Sequence, residues 1–115
     1  MRSEMICEID EKEVNIAGAS NTRMQVLTEG AGNFTMRRFV VEKGGHTPMH
    51  SHPWEHEAYV LKGRGRVAGD KSSFDVEEGT VIYVEPEEKH QFLNTGDEPF
   101  EFICVIPAGK ACLIK

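Results

Sequence analysis

The chain has no long apolar run. Its longest, Phe102 to Ile106, is far short of the ~20 residues that a membrane-spanning helix requires. No partnership with a membrane is therefore expected. The opening residues, Met1 to Glu8, lack the apolar stretch of a secretory leader, so the expected location is the cytoplasm. Basic residues are in deficit: 13 Lys and Arg stand against 19 Asp and Glu, a formal charge of −6. Counterion release from a phosphate backbone needs a basic face, so nucleic acid is not an expected partner. Cysteine is scarce. Cys7, Cys104 and Cys112 show no Cys-x-x-Cys spacing, which excludes both a disulfide scaffold and a cysteine zinc site. Helical periodicity is missing as well, for nowhere does an apolar repeat of about 3.6 residues persist.

What the 115 residues do contain is a succession of short runs rich in Val, Ile, Phe, Tyr and Thr, set between glycine-bearing turns. That pattern is all-β, and the length suits one domain with one core. Strands are predicted at Met24–Thr28, Phe34–Glu42, His56–Lys62, Arg64–Ala68, Ser73–Val76, Thr80–Val84, Gln91–Asn94 and Phe100–Ile106, with a weaker one at Ala111–Ile114. Turns are predicted at Glu29 to Asn33, Lys43-Gly44-Gly45, Gly63, Gly69-Asp70, Glu78-Gly79 and Thr95-Gly96-Asp97. The acidic segment Met1 to Glu13 reads as an arm, either frayed or pairing with another subunit. Tyr59, Val60, Leu61, Val81 and Ile82 are expected in the core.

Histidine is where chemistry concentrates. Four of the 5 histidines, His46, His50, His52 and His56, lie close together, and His90 follows much later. On a strand, His50 and His52 project from one face. After the turn Pro53-Trp54-Glu55, an antiparallel partner strand brings His56 alongside them, and a later strand supplies His90. Neutral imidazole nitrogen suits zinc, iron, copper or nickel and tolerates manganese. His-x-His-x3-His with a distant fourth histidine in a β pattern therefore reads as a metal site, with His46 exposed and outside it. Phe92 shares parity with His90 and faces the interior as pocket wall or ordinary core. Phe102, Cys104 and Ile106 form one alternating face. Of the adjacent Arg37 and Arg38, one points inward, to anchor a substrate carboxylate or to form a buried ion pair.

These residues resemble the cupins, small double-stranded β-helix (jelly-roll) barrels whose metal ligands come from two short motifs. The first, Gly-x5-His-x-His-x3–4-Glu-x6-Gly, falls on residues 44–63, with Gly44, His50, His52 and Gly63 in place. The second, Gly-x5-Pro-x-Gly-x2-His-x3-Asn, falls on residues 79–94 through Gly79, His90 and Asn94. Two departures stand out. His56 occupies the position of the family glutamate, Glu57 having the opposite parity, and Glu85 and Glu87 replace the usual Pro and Gly.

The stretch His50-Ser51-His52-Pro53-Trp54-Glu55-His56 is similar to small four-histidine manganese cupins. The resemblance implies a single cupin domain over residues 1–115, preceded by an arm at 1–13, and one divalent ion per subunit, manganese or iron, with zinc, nickel or copper as alternatives. It implies His50, His52, His56 and His90 as ligands, and Arg37 as the inward arginine. It also implies a cavity that Phe92, Phe102 and Cys104 border, where a small-molecule substrate binds. The expected assembly is a homodimer, and the expected activity is a metal-dependent oxygenase. A ligand- or metal-binding module and a Lewis-acid isomerase of sugars or keto acids are the alternatives.

Overall fold

Alternating inward and outward side chains recur through the computed structural model, which describes residues 1–110. After a 3-10 turn at Ile6–Glu8, nine strands follow: β1 (Lys12–Glu13), β2 (Ser20–Val26), β3 (Phe34–His46), β4 (His56–Lys62), β5 (Arg64–Gly69), β6 (Ser73–Glu77), β7 (Val81–Val84), β8 (His90–Asn94) and β9 (Phe100–Pro107). They hydrogen-bond in the order β6-β5-β8-β3-β9-β4-β7, with β2 also on β3 and β1 on β2. Every pairing between these strands is antiparallel. The predicted all-β class holds, as a sheet curled into a barrel.

Strand β3 joins the two layers of that barrel. Its first part, Phe34 to Val41, pairs with β9, while its last residue, His46, pairs with Leu93 of β8. Between them lies an irregularity against β2, where Thr22 faces Val41 but Ser20 faces His46. Gly44 holds φ +78° there, and a Cβ on Gly45 would lie 2.6 Å from the Ser20 carbonyl oxygen. The Lys43-Gly44-Gly45 segment, expected as a turn, is thus a bulge inside one long strand, because glycine lets the strand bend without breaking its ladder.

Inward positions recur every second residue: Phe100, Phe102, Cys104 and Ile106 on β9, Ala58 and Val60 on β4, and Phe92 on β8 are all buried. Phe102 stacks between Phe39 (5.0 Å between ring centroids) and Phe92 (4.3 Å). Each buried phenylalanine contributes roughly 1.5–3 kcal/mol. These rings form the floor beneath the histidines.

Several expectations change. Tyr59 and Val81, read as core, are 46% and 73% exposed. They are register partners on the outward face, opposite to Val60 and Ile82, and apolar character alone did not reveal which face they take. The arm at residues 1–13 finds its strand partner in the same chain: Lys12 and Glu13 pair with Met24 and Arg23 of β2. Gln25 Nε2 also donates to the Ile6 and Ile9 carbonyls at 2.9 Å. The weak strand predicted at Ala111–Ile114, with Cys112, lies outside the described residues.

Candidate metal centre

The predicted strand through His50 and His52 does not form. Pro48 and Pro53 withhold backbone donors, and residues 47–49 and 51–55 run as irregular chain with one bridge, His50 to His90. Nor does this segment pair with β4, as the alternation suggested. It is fastened to β8 and the turn before it. His50 N and His90 N donate to each other's carbonyls at 3.1 and 3.0 Å. Thr47 N donates to the Phe92 carbonyl at 2.9 Å, and Phe92 N returns a bond to Thr47 Oγ1 at 2.9 Å. Glu87 N reaches the His52 carbonyl at 2.7 Å. An irregular segment is thereby held as firmly as a strand.

These fastenings bring four imidazoles together. Ring centroids lie 4.6 Å apart for His50–His90, 4.7 Å for His56–His90, and 5.1 Å for both His52–His56 and His52–His90. His50, His52 and His90 each offer a ring nitrogen within 4.8 Å of the others. His56 adjoins this group through His90, Nε2 to Nε2, at 3.1 Å. The β4 alternation puts His56 inside and leaves Glu57 exposed on the other face.

The rings are oriented from behind. Nδ1 of His50 lies 2.9 Å from the Pro48 carbonyl, Nδ1 of His52 2.9 Å from that of Trp54, and Nδ1 of His90 2.8 Å from that of Glu88. A carbonyl only accepts, so each Nδ1 carries the proton and each Nε2 keeps its lone pair for the cavity. Backbone carbonyls behind metal-binding histidines do this work in metal sites generally. His56 differs, because its Nδ1 faces Cys104 Sγ at 2.9 Å, a group able to donate or accept. Trp54 stacks on His52 at 4.3 Å and 5°.

Burial lowers the pKa of all four imidazoles, and the Arg37 charge lowers each further. His56 falls to about 2 and His90 to about 4, desolvation being the main cause in both. All four are thus neutral, lone-pair-bearing bases at neutral pH, as a metal requires. The donor set fits a divalent transition ion, and His50, His52 and His90 are the group best placed to hold it.

The surrounding cavity is bordered by these four histidines together with Arg37, Phe39, Thr47, Phe92, Phe102 and Cys104, and encloses about 20 Å³. Arg37, Phe92, Phe102 and Cys104, named from sequence, all reach it. Arg37 Nη2 donates to Cys104 Sγ at 3.3 Å. Phe39 and Thr47 were missed. Phe39 shares the inward parity of Arg37, a usable signal, whereas Thr47 sits in aperiodic chain and gave none. His46 stands at the end of β3, half-buried, near Gln91 and outside the cavity.

A family profile described as "Cupin domain" matches residues 37–106. The glucose-6-phosphate isomerase of Thermococcus litoralis is 36% identical over 108 residues, covering 88% of this chain and 51% of its own. The 1-methylthio-D-xylulose 5-phosphate methylsulfurylase of Rhodospirillum rubrum is 31% identical over 100 residues, 86% of this chain and 64% of its own. The chain spans between 29% and 64% of the length of such curated relatives. Among solved structures, the polyketide cyclase RemF of Streptomyces resistomycificus superposes with a TM-score of 0.89 at 28% identity, covering 97% of this chain and 82% of that one. An isomerase, a methylsulfurylase and a cyclase share this architecture, so the chemistry must be argued from the site.

Proposed function

The chain belongs to the cupin domain family, and on that premise we propose that it is a metal-dependent oxygenase, its ion held by His50, His52, His56 and His90. The observation that carries this reading is the donor set: Nδ1 of His50, His52 and His90 is committed to backbone carbonyls, while no Asp or Glu borders the cavity. Without a carboxylate ligand, the divalent charge would stay uncompensated. Manganese or iron bound there would supply Lewis acidity and one-electron redox chemistry. Zinc, nickel and copper suit the same nitrogens.

The protein's own part is positioning and exclusion. The stacked Phe39, Phe102 and Phe92 give an apolar floor that keeps bulk water from a reactive substrate. Cys104 Sγ, 2.9 Å from His56 Nδ1, is the partner that orients the His56 ring. Trp54 stacks on His52 and holds the plane of its ring. An isomerase reading draws on the 36% identity to a glucose-6-phosphate isomerase. Proton shuttling between carbons needs a base free of the metal, however, and the bases bordering the cavity are the four histidines assigned here to the ion.

The test is dioxygen uptake by manganese- and iron-loaded protein across small aromatic and enol substrates. Metal-dependent uptake with oxygenated product, lost in His50→Ala and His90→Ala, is the expected result. Absence of uptake with full metal occupancy would overturn the oxygenase reading in favour of a binding module.

A further inference from the structure

Arg37 enters the barrel from the middle of β3 and is 3% exposed. A guanidinium keeps its charge inside a protein. Three other arginines meet carboxylates: Arg23 meets Glu11 and Glu42, Arg38 meets Glu101 and Glu11, and Arg66 meets Asp75. Arg37 meets none among the described residues. Its neighbours are Cys104 Sγ at 3.3 Å, Met24 Sδ at 4.0 Å and the Phe39 ring at 5.1 Å. Its Nε–H is buried with no hydrogen-bond partner. In a chain with 19 acidic residues, none lines this cavity.

We infer that Arg37 is the anion anchor of the cavity and that the ligand it selects is a small carboxylic acid. This rests on the metal-centre reading for the other pole of the ligand. A buried cation without a counter-ion is costly to keep, and an arriving anion supplies what the fold withholds. Nε–H and one Nη–H lie along one edge of a guanidinium as a planar fork that matches the two oxygens of a carboxylate. Arg37 is the one Lys or Arg among the described residues bordering the cavity, and one positive charge answers a singly charged carboxylate more closely than a phosphoryl group near −2. By name the relatives act on phosphorylated sugars, so inorganic phosphate is the competing anion in the test.

The experiment titrates zinc-loaded protein with pyruvate, with the neutral pyruvamide and with inorganic phosphate. It follows heat and the ¹⁵N-resolved Arg37 Nε–H signal. Pyruvate is expected to bind saturably and shift that signal, with pyruvamide and phosphate weaker by about tenfold or more. Arg37→Met should weaken pyruvate about thirtyfold or more while zinc content holds, and Arg37→Lys should fall between. Should Arg37→Met fail to fold, the wild-type contrast and the Nε–H shift decide alone. Equal affinity for pyruvate and pyruvamide, an unmoved Nε–H signal, or no pyruvate binding would overturn the anchor. Tighter phosphate than pyruvate would overturn the carboxylate class. Zinc is redox-inert, so failure of the oxygen assay leaves this titration standing, and the reverse holds too.

Discussion

Arg37 and Arg38 are consecutive, chemically identical and set on opposite faces of one strand. Outside, Arg38 is 19% exposed and held by Glu101, Gln25 Oε1 at 2.7 Å and Glu11. Inside, Arg37 has sulfur and an aromatic ring. The same division runs through the histidines, since half-buried His46 stays outside the cavity while the other four converge. The outer face answers each of these charges with protein groups. The inner face assembles bases and one cation and leaves them for ligands. The outer face is built for stability and the inner for binding.

Acid should expose that division most strongly. The buried imidazoles have folded pKa values below the 6.5 of an unfolded histidine. The unfolded chain therefore takes up protons that the folded chain refuses. Their contribution is complete above about pH 6.5 and is lost as pH falls toward the folded values. At pH 5 both His56 and His90 are still above their folded pKa, so each costs about 2 kcal/mol, together about 4 kcal/mol. Urea melts of metal-free protein at pH 7 and pH 5 measure this. Equal stability at the two values would mean that the cluster is not desolvated.

Substitution separates inner from outer histidine next. His90→Ala should lower zinc affinity by about a hundredfold or more, since loss of even an orienting partner behind a ligand costs ten- to a hundredfold. His46→Ala should leave it unchanged. Elemental analysis of untagged protein and competition with a chelator read both. Comparable loss in the two variants would dissolve the distinction drawn between them.

Alternation explains how much of this was legible from sequence. Because β4, β8 and β9 keep strict parity, the facing of His56, His90, Phe92, Phe102 and Cys104 followed from counting by twos. Parity does not say which face is inside when both are apolar, and Tyr59 and Val81 were lost that way. Residues 47–55 have no period, so the true neighbours of His50 and His52 came from hydrogen bonds to β8 that no local pattern encodes. The Gly44-Gly45 bulge has the composition of a turn, and only pairing with β2 tells the two apart. That Arg37 meets no carboxylate among the described residues is a three-dimensional fact: its sequence neighbour Arg38 has partners up to 63 positions away.

The two arginines give a smaller, signed test. Arg37→Met replaces an uncompensated buried cation by an apolar chain of similar length, and should stabilise ligand-free protein by about 1–2 kcal/mol. Arg38→Met removes partly exposed ion pairs and should destabilise by about 1 kcal/mol. Opposite signs at adjacent positions, read in paired urea melts, are the signature. Destabilisation of similar size at both would place Arg37 among ordinary structural residues.

The smallest effect tests the rim between the two faces. Glu87 stands where cupins usually carry glycine, and it holds φ +68°. A residue with a Cβ is strained there, by about 1–2 kcal/mol. Yet this conformation aims the Glu87 N–H at the His52 carbonyl, 2.7 Å away, and so fixes the histidine loop. Glycine can adopt the same φ without strain but gains freedom in the unfolded chain, so Glu87→Gly should stabilise by less than about 1 kcal/mol and leave zinc affinity unchanged. Glu87→Val, β-branched and ill suited to positive φ, should destabilise by about 1 kcal/mol or more and weaken zinc binding through the same bond. A valine variant that melts and binds zinc like wild type would show that the histidine loop holds its geometry without the rim.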